Sequence, residues 1–259
     1  MTCAVLLPGS GSDERFVRSV FALPLAGIGV ELVAPVPRRG GDVVVGYREA
    51  LETAGPGPLL VGGVSLGAHV AAQWAVGAPP GRVAGLLLAL PAWTGPPDGA
   101  PAALAASLTA AYARTGGVDA ALAAAAGAPA WLLAELGRAW AGYGDGLADA
   151  LEGSAAEPAP TEAELGGLDV PVGLAALVDD PVHPLEVAQR WHAALPRSAL
   201  VTTRMSTFGR DPEALGRATA LAWLRASAPP GATAGHGGAD SARSHGGAPS
   251  ARPHGGQGR

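Results

Sequence analysis

The chain reads as an α/β protein with a mostly parallel six-stranded sheet and helices on both of its faces. Two observations carry that reading. Six short apolar runs alternate with longer helix-like stretches along the first 225 of 259 residues, the succession expected of β-α units. Most of these runs are apolar at consecutive positions instead of every second one, which suits strands buried on both faces of a parallel sheet. Alanine, with 57 copies, supplies nearly half of the 48% hydrophobic share, so we read periodicity from Leu, Val, Ile and Trp alone.

In chain order, strands are expected over 3–7, 30–34, 58–64, 83–90, 172–178 and 199–205, and helices over 13–25, 42–53, 66–76, 184–195 and 211–224. Asp13 suits the cap or first turn of the first helix. In the last helix Leu215, Leu221, Trp223 and Leu224 are the bulky positions available to pack on the sheet. About eighty residues, 91–170, separate the fourth strand from the fifth; a structureless loop of that length is improbable in a compact domain. Leu104, Leu108 and Tyr112, then Trp131, Leu132, Leu133, Leu136 and Trp140, mark it as a helical insertion. Residues 98–170 hold ten acids against two arginines, a net of −8 that exceeds the −5 of the whole chain.

After Leu224 no bulky apolar residue occurs, and 226–259 is built almost wholly from Gly, Ala, Ser, Pro, Arg and His, with a nine-residue echo starting at His236 and His245. Such a segment cannot bury enough apolar surface to offset its ordering entropy, so a disordered tail is expected there. The domain therefore spans 1–225, with the insertion at about 94–168.

Composition excludes several chemistries. All 17 cationic side chains are Arg, which removes lysine nucleophiles, Schiff bases and any P-loop. Gly9-Ser10-Gly11-Ser12-Asp13-Glu14 begins like a dinucleotide loop but places Glu14 where the third glycine belongs. The single Cys3 forms no internal disulfide, and no Cys/His spacing resembles a metal site. We therefore expect no cofactor and no metal. Net negative charge argues against a nucleic-acid partner, and the absence of a long apolar run argues against a membrane span. With one cysteine and no basic leader, a cytoplasmic setting is expected.

Gly63-Val64-Ser65-Leu66-Gly67 has the form G-x-S-x-G. In a glycine-rich chain the bare string arises by chance roughly one time in four, so its context decides. It follows an apolar run and opens a helix-like stretch, the strand-turn-helix setting of a nucleophile elbow, which would expose the Ser65 hydroxyl at a strand's C-terminal end.

With these residues the chain resembles the α/β-hydrolase superfamily over roughly 3–225, lacking that fold's first two strands. The resemblance implies an oxyanion hole from the backbone N–H groups of Ser10 and Leu66, a helical cap in the insertion, and a triad acid at Asp180, with Asp179 the second choice. It also implies a small acyl substrate, such as an ester. The catalytic histidine should follow the last strand, where Arg210 stands instead; an arginine stays protonated and cannot accept the serine's proton. Three of the six histidines fall in the expected tail, leaving His69, His183 and His192. His69 lies one helical turn beyond Ser65 and reads as structural. His192 reads as a surface or packing residue. His183, three residues past Asp180, is the leading candidate for the base, against a place on the pocket rim. Two functions stay open: a serine hydrolase, or an inactive relative holding a small acyl-like ligand under its cap.

Overall fold

A computed structural model describes residues 2–229. The strands are β1 (Thr2–Leu7), β2 (Val30–Val33), β3 (Leu59–Val64), β4 (Val83–Ala89), β5 (Val172–Leu177) and β6 (Ser198–Thr203). They form one sheet in the order β2-β1-β3-β4-β5-β6, parallel at every pairing. This is the six-stranded α/β sheet expected from the consecutive apolar runs. Successive residues point to opposite faces: Val5, Leu7, Val61, Leu86, Leu88 and Leu174 join one core, while Leu6, Leu60, Leu87, Ala89 and Leu177 join the other. Over the central strands β1, β3, β4 and β5 both faces are dry, so the alternation of a half-solvated strand is absent there.

On one face lie α1 (Glu14–Ala26) and α10 (Glu213–Ser227); on the other lie α2 (Val43–Thr53), α3 (Leu66–Gly77) and α8 (Leu185–Ala194). Asp13 caps α1, its carboxylate accepting from the N–H groups of Arg15 and Phe16 at 3.1 and 3.0 Å. Between β4 and β5 the chain forms α4 (Pro101–Ala124), α5 (Ala130–Tyr143), α6 (Leu147–Ala156) and α7 (Glu162–Gly166). A break at Gly116 and Gly117 divides α4. After β6 a short helix not foreseen from the sequence, α9 (Met205–Arg210), precedes α10.

One expectation about packing needs correction, and the insertion shows the same pattern. In α4 the bulky residues face outward, Leu104 and Leu108 each 60% exposed, while Ala103, Ala106, Ala110 and Ala121 are buried. In α10 Leu215 is buried as expected, but Leu221 and Leu224 are more than 40% exposed, and Gly216, Ala218, Thr219 and Ala222 turn inward. The reason is close approach. A Cβ on Gly173 of β5 would fall on the α10 backbone at Thr219 and Trp223, and one on Gly216 on the Val20 carbonyl of α1. Helices seated that near their neighbours have room for alanine and not for leucine.

The compact unit ends at Ala228. Of the segment expected to be a tail, Ala226 and Ser227 still belong to α10, and the part from 230 onward lies outside the described residues. Among the described residues no helix is long and apolar enough to cross a membrane.

Candidate active site

Because every strand runs the same way, the loops leaving the C-terminal ends of β1, β3 and β5 meet at one edge of the sheet, where open α/β folds hold their ligands. Ser65 joins β3 to α3 with φ 53° and ψ −115°, a conformation rare for a residue with a side chain. Such strain costs on the order of 1–3 kcal/mol and persists only where the surroundings impose it. Here they do: the Ser65 N–H donates to the Ala89 carbonyl at 2.9 Å, tying the turn to β4. A Cβ on either Gly63 or Gly67 would fall on the Leu7 carbonyl oxygen, so both glycines are what lets β1 pass beside the turn.

The loop after β5 carries two aspartates with different tasks. Asp179 is exposed, and its Oδ1 accepts from the Met205 N–H at 2.7 Å, which caps α9. Asp180 turns inward, its side chain 7% exposed. Its Oδ1 accepts from the N–H groups of Val182 and His183 at 2.8 and 3.2 Å, and its Oδ2 lies 2.8 Å from His183 Nδ1. Burial pushes this carboxyl up, but the His183 hydrogen bond and charge, with the two backbone donors, outweigh it and hold it below the usual carboxylate range. An ionised Asp180 can only accept, so the proton of the His183 ring sits on Nδ1 and Nε2 presents its lone pair. That Nε2 is 3.0 Å from Ser65 Oγ. Asp180, His183 and Ser65 thus form one continuous chain of hydrogen bonds, 118 residues apart in sequence at its serine end.

The loop after β1 lies beside the serine. Ser12 N–H closes a turn on the Gly9 carbonyl at 3.1 Å, with Gly11 at φ 64°. Leu66 opens α3, where the first N–H groups have no intrahelical acceptor. Ser10 and Ser65 line the same cavity, of about 340 Å³. Its floor includes Gly9, Ser10, Ser65 and His183, and its walls are largely apolar: Phe16, Ala105, Ala106, Leu132, Leu136 and Trp140.

The other two histidines among the described residues, His69 and His192, lie elsewhere. His69 is fully buried against Trp93 and Trp191, ring centroids 4.5 and 5.6 Å away, and its Nε2 accepts from the Ala92 N–H at 2.9 Å. Burial, with a smaller contribution from the charge of His183, lowers its pKa to about 3. His192 lies on α8 with Nδ1 2.7 Å from Ser198 Oγ. Arg210 closes α9, exposed and outside the cavity lining. Sequence reasoning did not anticipate the cap's contacts to the β1 loop by Arg138, Trp140 and Tyr143, which lie about 125 residues from their partners.

A scan against protein-family models and a search of curated proteins each found no match. Comparison with solved structures found many. Rv0554 from Mycobacterium tuberculosis aligns with a TM-score of 0.67 at 18% identity, over 88% of this chain and 91% of that one. A hydrolase from Pseudomonas aeruginosa PA01 aligns with a TM-score of 0.64 at 22% identity, over 86% and 89%. A thermophilic esterase from Thermogutta terrifontis aligns with a TM-score of 0.62 at 19% identity, over 87% and 90%. With other α/β hydrolases among the matches, the class is settled: the chain has the α/β-hydrolase fold.

Proposed function

We propose that this protein is a serine hydrolase that cleaves esters of small acyl groups, with Ser65 as nucleophile, His183 as general base and Asp180 as its orienting acid. The observation that carries the reading is the position of His183, within hydrogen-bonding reach of Asp180 on one ring nitrogen and of Ser65 on the other. In the reaction Ser65 Oγ attacks the ester carbonyl carbon while its proton passes to His183 Nε2. Negative charge gathers on the carbonyl oxygen, facing the backbone N–H groups of Ser10 and Leu66. The bond to the alkoxy group then breaks, and His183 returns the proton to the departing oxygen. A water attacks the acyl-serine by the same steps, releasing the acid and restoring Ser65. Asp180 keeps its charge throughout and stabilises the imidazolium that forms.

Two structural neighbours, from Thermogutta terrifontis and from Rhodococcus sp. ECU1013, are esterases, which favours ester chemistry. The apolar cavity wall favours an uncharged acyl group. The test is hydrolysis of p-nitrophenyl butyrate by wild type and Ser65→Ala. Release of nitrophenolate by wild type, reduced by roughly 10³-fold or more in the variant, is the expected result; equal rates for the two would refute it.

A further inference from the structure

The turn that carries Ser10 is held from two sides. From the sheet side, Gly9 lies against the elbow, where a Cβ would sit 3.2 Å from the Val64 carbonyl oxygen and 3.5 Å from Ser65 Cβ. From the cap side, three consecutive positions each meet α5 or α6. Gly11 faces Trp140 and Leu151, and a Cβ there would come within 2.7 Å of Trp140 Nε1. The Ser12 carbonyl accepts from the Tyr143 hydroxyl at 2.6 Å. The Asp13 carboxylate accepts two hydrogen bonds from the Arg138 guanidinium, at 2.6 and 2.7 Å. Glu135, one turn back on α5, holds the same guanidinium through its Nε at 3.0 Å, so the fork is set on its own helix before it reaches the loop. Two-pronged arginine-carboxylate contacts fix direction as well as distance.

We propose that Arg138 and Tyr143 are positioning residues for the oxyanion hole, coupling the seating of cap helix α5 to the placement of the Ser10 N–H. The inference rests on the reading of Ser10 as an oxyanion donor. Physical scale makes the coupling consequential. A donor serves the developing oxyanion only within about 2.7–3.1 Å, and a misplacement near 1 Å can cost about 10²-fold in rate. The cap of this protein is thus a wall of the acyl cavity and also one jaw of a clamp on the loop that meets the reacting oxygen. Neither Arg138 nor Tyr143 needs to touch substrate to do this.

The experiment measures inactivation by a short-chain alkyl fluorophosphonate, in which the serine oxygen displaces fluoride and the phosphoryl oxygen occupies the oxyanion position. Maximal inactivation rate and half-saturating probe concentration are determined for wild type, Arg138→Met, Arg138→Lys, Tyr143→Phe, Asp13→Asn and the Arg138→Met/Asp13→Asn pair, each normalised to the final labelled fraction. Asp13→Asn is informative because asparagine caps a helix as well as aspartate does, so α1 keeps its cap while the charge pair is lost. Arg138→Met and Asp13→Asn are each expected to lower the maximal rate by about tenfold or more with the half-saturating concentration within about threefold, and the double variant to match either single one. Tyr143→Phe is expected to cost about threefold, and Arg138→Lys, which restores charge but not the fork, to recover only part of the loss. Unchanged rates per labelled molecule, even with a lower melting temperature, would overturn the proposal. So would a change confined to the half-saturating concentration, because Arg138 would then be shaping the cavity alone. Wild type that fails to label at all would overturn the reading of Ser65 itself, a different result from variants that label at the wild-type rate.

Discussion

Asp180 and His183 sit three residues apart on one loop, and that spacing lets a single carboxylate organise both the loop and the ring. One oxygen collects the N–H groups of Val182 and His183, the other holds Nδ1. Asp180→Asn keeps the shape but can leave the ring in the wrong tautomer, and we expect the rate of ester hydrolysis to fall by about 10²–10⁴ with little change in melting temperature; the upper figure is that known for the equivalent change in serine proteases. His69 makes a contrasting prediction about stability. Its folded pKa, about 3, lies below the ordinary histidine value, so between the two the unfolded chain binds the extra proton. The contribution is fully present above about pH 6.5 and is lost as pH falls toward 3. Chemical denaturation of wild type over that range should lose up to about 1.4 kcal/mol per pH unit from this group, and His69→Leu should flatten the slope; an unchanged slope would assign the acid sensitivity elsewhere. At this scale Ser65 was legible from its motif and setting. His183 emerged by elimination, because a histidine beside an aspartate does not reveal in sequence which way either side chain turns.

Among the elements, the instructive ones are α4, α9 and α10. The strands were legible because burial on both faces leaves continuous apolar runs. The faces of α4 and α10 were not, because bulk marks a core only where there is room for it, and these helices approach their neighbours through alanine and glycine. Ala110, with no exposed surface, and Leu108, 60% exposed, separate the two rules. Ala110→Leu should destabilise by about 1–3 kcal/mol through overpacking, whereas Leu108→Ala should stay within about 0.5 kcal/mol in the same denaturation measurement. α9 replaces the loop in which the resemblance would have placed a histidine, and Asp179 caps it. Asp179→Ala should cost roughly 1 kcal/mol of stability and leave ester hydrolysis within about twofold of wild type, since its carboxylate is exposed and engaged with α9, and Asp180 is the partner of His183.

On the scale of the whole molecule, the negative insertion and the neutral sheet domain are tied by pairs that cross between them: Arg138 with Asp13, Arg48 with Glu157, Arg190 with Glu162. Glu157 and Glu162, two of the acids in excess over 98–170, are therefore spent on holding the cap to the sheet, while Arg138 reaches the other way to Asp13, a division that composition alone could not reveal. Partly exposed pairs of this kind contribute little each; their value here is geometric. Beneath the cap the 340 Å³ cavity lies at the low end of the range for small-molecule pockets, so butyrate esters should be cleaved faster than palmitate esters, with the ratio of kcat/KM as the measure. The central claim, that the base resides on the β5 loop and not after β6, is tested most directly by fluorophosphonate labelling of four proteins side by side. Wild type and Arg210→Ala should label at matching rates, Ser65→Ala should not label, and His183→Ala should label at least about 10²-fold more slowly than wild type. Wild-type labelling by His183→Ala, with loss on changing Arg210, would contradict the account.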